Sequence, residues 1–81
     1  MSKAYQLCCD NVAAIMERWE ESNAESFIKS PRPNCSRLMA QEIYKNSTAE
    51  VSCEDLLEEI EDRGFRNMVR DEFKWLYGNF V

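Results

Sequence analysis

The sequence predicts an all-α fold, a single helical domain over residues 1–81 built as a small bundle of three to four short helices at about 3–21, 35–46, 52–63 and 66–77. Three observations carry this. Apolar residues recur at steps of three and four through most of the chain, as on the buried face of an amphipathic helix. Glycine and proline are scarce, two of each in 81 residues, and fall between the periodic segments. The periodic segments are short and joined by tight connections, which together imply a helical bundle. A chain this short buries a modest core, and many of its size add a disulfide, a metal or a partner subunit.

The first helix places Tyr5, Cys8, Val12, Ile15 and Trp19 on one stripe, with Cys9 and Met16 beside it and Lys3, Asp10, Glu17 and Glu21 opposite. The stripe covers barely two heptads, which suits a core helix better than a coiled coil. Ser22 and Glu25 have the spacing of a capping box, so a short turn carrying Phe27 and Ile28 is expected to follow. Pro31 and Pro33 hold Ser30 and Arg32 extended, which makes SPRPN a linker. Asn34 or Ser36 then caps a second helix whose core side is Cys35, Leu38, Met39 and Ile43.

The third helix has the strongest local signals. Ser52 is its N-cap, Asp55 stands at N3, and Val51 is placed to meet Leu56 across the cap as a hydrophobic staple. Every position from Glu54 to Asp62 that is not Leu or Ile is a carboxylate. Gly64 is expected to end this helix in the left-handed conformation, with Phe65 folded back onto Ile60. The alternative is one helix running through Gly64, at about 1 kcal/mol relative to alanine. Gly78 stops the last helix, whose apolar residues Phe65, Met68, Val69, Phe73, Trp75, Leu76 and Phe80 span an arc wider than one packing stripe. Glu72 projects into that arc, which requires an arginine partner, Arg18 or Arg37.

The net charge of −5 is local: residues 1–46 balance to 0, residues 47–62 carry −7 and residues 63–81 carry +2. The basic row Arg63, Arg66, Arg70 and Lys74 is expected to pair within the chain, as Glu59–Arg63, Asp62–Arg66 and Asp71–Lys74. Arg37 and Lys45 are the other cations in reach of the acidic helix. Glu54 to Glu58 is then the least paired portion, and the end at Glu61 and Asp62 is contested.

Histidine is absent, no glycine-rich loop could cradle a phosphate, and no serine or cysteine has a base beside it, so an enzyme is not expected. Cys8, Cys9, Cys35 and Cys53 form no C-x2-C knuckle and read as small core residues; neither a metal nor a cofactor is expected. The chain has no apolar run long enough for a bilayer and no signal-peptide core, which points to the cytoplasm; the sequons at Asn34 and Asn46 are then idle.

These readings converge on a non-enzymatic protein-binding module, an inhibitor or regulator. Its contact residues would be Glu54, Asp55, Glu58, Glu59, Glu61 and Asp62, with Trp75 and Tyr77 as apolar anchors. The partner is a protein with a basic surface, of the kind that binds nucleic acid, so the acidic helix would act as a charge mimic; direct nucleic-acid binding is not expected. Small virus-encoded inhibitors of host defence or transcription share this composition. A homodimer on the excess apolar surface and a helix-turn-helix reader using Arg66, Arg70 and Lys74 are the alternatives.

Overall fold

The computed structural model describes residues 2–16, 28 and 35–78. Among them every regular element is a helix: α1 (Lys3–Met16), α2 (Ser36–Asn46), α3 (Cys53–Glu58) and α4 (Arg63–Tyr77). The expected end of the first helix with Trp19, the Ser22–Glu25 cap, the proline linker, Arg18 and Phe80 lie outside the described residues.

Helix α2 is central and packs on both α1 and α4, while the short α3 bridges α2 and α4. The core gathers Tyr5, Cys8, Cys9, Val12 and Met16 of α1, Met39, Ala40 and Ile43 of α2, Leu56, Leu57 and Ile60 from α3 and its exit, and Phe65, Val69 and Phe73 of α4. The helical spacing of these positions is what brings them to one side of each element. No helix among the described residues is long and apolar enough to cross a membrane.

The helix ends differ from expectation in instructive ways. At α2 the cap is neither Asn34, which lies outside the described residues, nor Ser36; Cys35 holds the N-cap position and Ser36 is the first helical residue, buried. Ser52 caps α3 as expected: its Oγ accepts from the Asp55 N–H at 3.2 Å and its own N–H donates to Asp55 Oδ2 at 3.1 Å, a reciprocal capping box. Val51 and Leu56 both join the core.

The acidic helix stops at Glu58, not at residue 63. The Glu59 and Ile60 N–H groups donate back to Leu56 and Leu57 carbonyls, tightening the last turn, and the chain then leaves the helix. Asp62 turns its carboxylate to the next helix instead, accepting from the Phe65 N–H at 2.8 Å. A short acidic side chain at an N-cap offers the backbone a competing partner, which is why the break falls here. Gly64 therefore sits in the first turn of α4 with no left-handed backbone, while Phe65 and Ile60 both join the core. Gly78 is the glycine that does adopt a positive φ, of 80°, and its N–H closes α4 on the Lys74 carbonyl at 2.9 Å.

Candidate protein-binding surface

Of the predicted contact residues, Glu54, Asp55 and Glu58 lie exposed on α3. Glu59, Glu61 and Asp62 lie beyond its end, in the turn to α4, so one continuous acidic helical face does not form.

Glu54 and Glu58 are the paired carboxylates, which reverses the expectation for this end of the run. Arg70 Nη2 reaches Glu54 Oε1 at 3.1 Å and Glu58 Oε1 at 3.2 Å. Arg66 Nη1 stands 3.7 Å from Glu58 Oε2, and its Nε donates to the Ile60 carbonyl at 3.0 Å, capping the exit of α3. The basic row thus pairs within the chain, though not with the partners its spacing suggests. The Glu59–Arg63 spacing assumes a helix continuous through residue 62, and the break sets α3 against the middle of α4 instead; Asp62 and Arg66 are taken up by other partners, and Asp71 and Lys74, although both within α4, form no ion pair with each other. Arg37 and Lys45 do not reach α3; they pair with Glu72 at 3.0 Å and Glu42 at 3.6 Å. Glu72 does pair with Arg37, one of its two expected partners, but it is only half-buried, so the pair compensates no buried charge.

Three of the remaining carboxylates hold the fold. Asp55 completes the α3 capping box and Asp62 caps α4. Glu59 accepts from the Ser2 N–H and the Ser2 hydroxyl, each at 2.6 Å, while Ser2 Oγ accepts from the Tyr5 N–H at 3.1 Å. This ties the start of α1 to the α3–α4 turn and places an anion where the helix dipole favours it. Glu61, beside it, stands exposed at a cleft of about 150 Å³ walled by Tyr5 and Ile28. Within residues 35–78, intramolecular ion pairing leaves Glu50, Asp55, Glu59, Glu61, Asp62 and Asp71 against Arg63 and Lys74. Most of the uncompensated negative charge thus lies on the flanks and first turn of α3, with Asp71 apart on α4.

The two aromatic residues expected to act as anchors are exposed. Trp75 is 77% exposed and Tyr77 39%. Tyr44 of α2, 48% exposed, packs on Tyr77 with ring centroids 4.0 Å apart, and both meet Phe73 at edge-to-face angles. Burial first, then the neighbouring Tyr44 and Cys53, push the Tyr77 pKa up. Tyr44 was missed in the sequence because it lies off the α2 core stripe. Arg37 sits over Trp75, 5.7 Å from the ring centroid, within cation–π range.

Cys8, Cys9 and Cys35 are buried and Cys53 half-buried, all four as free thiols. Burial pushes the Cys8 thiol up to about 12 and Cys9 up to about 11, so neither is a thiolate at neutral pH. Glu42, unmarked by the sequence, is buried at the α1–α2 seam, where its Oε1 accepts from Asn11 at 2.8 Å and Asn46 at 3.3 Å. Compared with protein-family models, curated proteins and solved structures, the chain matches none.

Proposed function

We propose that the protein is a non-enzymatic protein-binding module, an inhibitor or regulator that sets the acidic region around α3 against a basic surface of a partner protein. A surface that binds nucleic acid is the natural target of such a charge pattern. The observation that carries the reading is the charge left after internal pairing, with Glu50 and Glu61 exposed at opposite ends of α3 and no ion pair from either to another described residue. Opposite fields of this kind speed encounter and select partners, while Trp75, Tyr77 and Tyr44 have the residue types that anchor interfaces.

The variant that tests it must spare the carboxylates that cap and tie helices. Glu50→Gln with Glu61→Gln removes charge alone. In capture from source-cell lysate at low and high salt, the wild type is expected to retain a partner that high salt releases, and the double variant to retain less of it. Each exposed pair lost is worth about 0.2–1 kcal/mol. Equal capture by both proteins at both salts rejects the reading. A homodimer is the second reading, favoured by Met68 and Trp75, seven residues apart on α4 and both exposed. Light scattering that gives a monomer at high micromolar concentration removes it.

A further inference from the structure

Helix α4 brings Asp71, Glu72 and Trp75 within one turn, and α2 lays Arg37 against two of them. Arg37 Nε donates to Glu72 Oε2 at 3.0 Å while its guanidinium rests on the indole. The chain itself demonstrates the chemistry this patch accepts, a guanidinium shared between an aromatic face and a carboxylate one turn below it. Arg37 does not exhaust the site. Trp75 is 77% exposed with Arg37 in place. Asp71, four residues before Trp75 and so on the same side of the helix, is exposed and makes no ion pair with another described residue, Lys74 included.

We propose that this α4 stripe binds an arginine side chain of the partner protein, its guanidinium stacked on the open face of Trp75 and its N–H edge turned to Asp71. The proposal rests on the protein-binding reading above and names the partner chemistry at its aromatic end. Charge complementarity at Asp71 selects the occupant, since Glu72 is already held by Arg37: an anion meets the unpaired Asp71 carboxylate, and an apolar side chain strips water from it without replacing its hydrogen bonds. Arginine fits better than lysine, because a planar guanidinium stacks on an aromatic ring and presents a fork of donors to a carboxylate at once.

The full chain is titrated with the blocked peptide Ala-Arg-Ala, its lysine counterpart and its citrulline counterpart, up to tens of millimolar. The readout is the Trp75 indole N–H in proton–nitrogen spectra, assigned by its loss in Trp75→Phe. The arginine peptide is expected to shift this signal saturably, about two- to fivefold more tightly than lysine, with no shift from neutral citrulline. Asp71→Asn is expected to weaken binding by a similar factor, and Asp10→Asn, on the exposed side of α1, to leave it unchanged. Equal response to arginine and lysine, or an unaffected Asp71→Asn, overturns the proposal. Peptide shifts confined to α3 and its two ends, with Trp75 silent, overturn it while leaving the acidic-surface reading standing. Concentration-dependent Trp75 shifts in the protein alone would give the stripe to a second copy and overturn it as well.

Discussion

Single side chains decide which carboxylates are free to act and which are committed to the fold. Glu42 is the most committed, a buried charge whose Oε1 gathers the amides of Asn11 and Asn46 and whose Oε2 faces Lys45. Lys45 and Asn46 stand three and four residues on, so half of this cluster was readable from helical spacing. Asn11 comes from another helix, and no local pattern announces it. Glu42→Ala leaves the Asn11 amide without its acceptor in a half-buried seam, while Asn46 keeps the residue-42 backbone carbonyl at 2.8 Å, so the cost is about 1–3 kcal/mol and falls on the Asn11 side. Glu42→Gln keeps an oxygen for Asn11 and loses only the contact with a largely exposed lysine, so its cost is expected to be clearly smaller. Urea unfolding of both variants checks the order, and equal losses would mean that the lysine, not the amides, is what Glu42 serves.

At the scale of elements, boundaries set by local chemistry were legible, as at the Ser52 cap and the Gly78 stop, whereas the break between α3 and α4 was misplaced, from Asp62 to Gly64. Ser52 and Asp55 lie three residues apart and form their capping box with no help from the rest of the chain. Besides the local Asp62 cap, the exit of α3 engages distant groups: Ser2 holds Glu59 from 57 residues away, and Arg66 takes the Ile60 carbonyl from within α4. A window of sequence holds neither fact, so Gly64 looked like the natural stop. The two placements make opposite predictions for Gly64→Ala. A left-handed glycine would lose about 1–2 kcal/mol on gaining a Cβ. In the first turn of α4 the new Cβ gains up to about 1 kcal/mol of helix propensity. It also lies 3.3 Å from Asp62 Oδ1, the atom that caps α4, which offsets part of the gain. The expected change is within about 0.5 kcal/mol of zero. A loss above 1 kcal/mol in thermal unfolding would restore the sequence-based placement.

For the whole molecule, the core was predicted as apolar stripes, yet its chemical character comes from thiols and a phenol packed among them. Cys8 and Cys9 are fully buried and Tyr5 nearly so, and desolvation is the largest cause raising all three pKa values. The folded state therefore keeps these groups protonated after the unfolded chain has begun to lose its protons. Below pH 9 both states hold the thiol protons and pH has no purchase on stability through them. Above it the unfolded state binds fewer protons than the folded one, so stability falls as pH rises, by about 1.4 kcal/mol per unit for each thiol until its folded value is reached. For Cys9 that window runs from 9.0 to about 11 and for Cys8 from 9.0 to about 12. A core of this size supplies roughly 3–5 kcal/mol, so alkaline unfolding is expected between about pH 10 and 11. Urea midpoints followed by circular dichroism from pH 7 to 11 under reducing conditions measure the slope. Cys8→Ala with Cys9→Ala lowers stability at neutral pH through lost packing, but it is expected to flatten the alkaline limb because the linked protons are gone. Parallel limbs in wild type and variant would assign the alkaline loss to lysine deprotonation and growing negative charge instead.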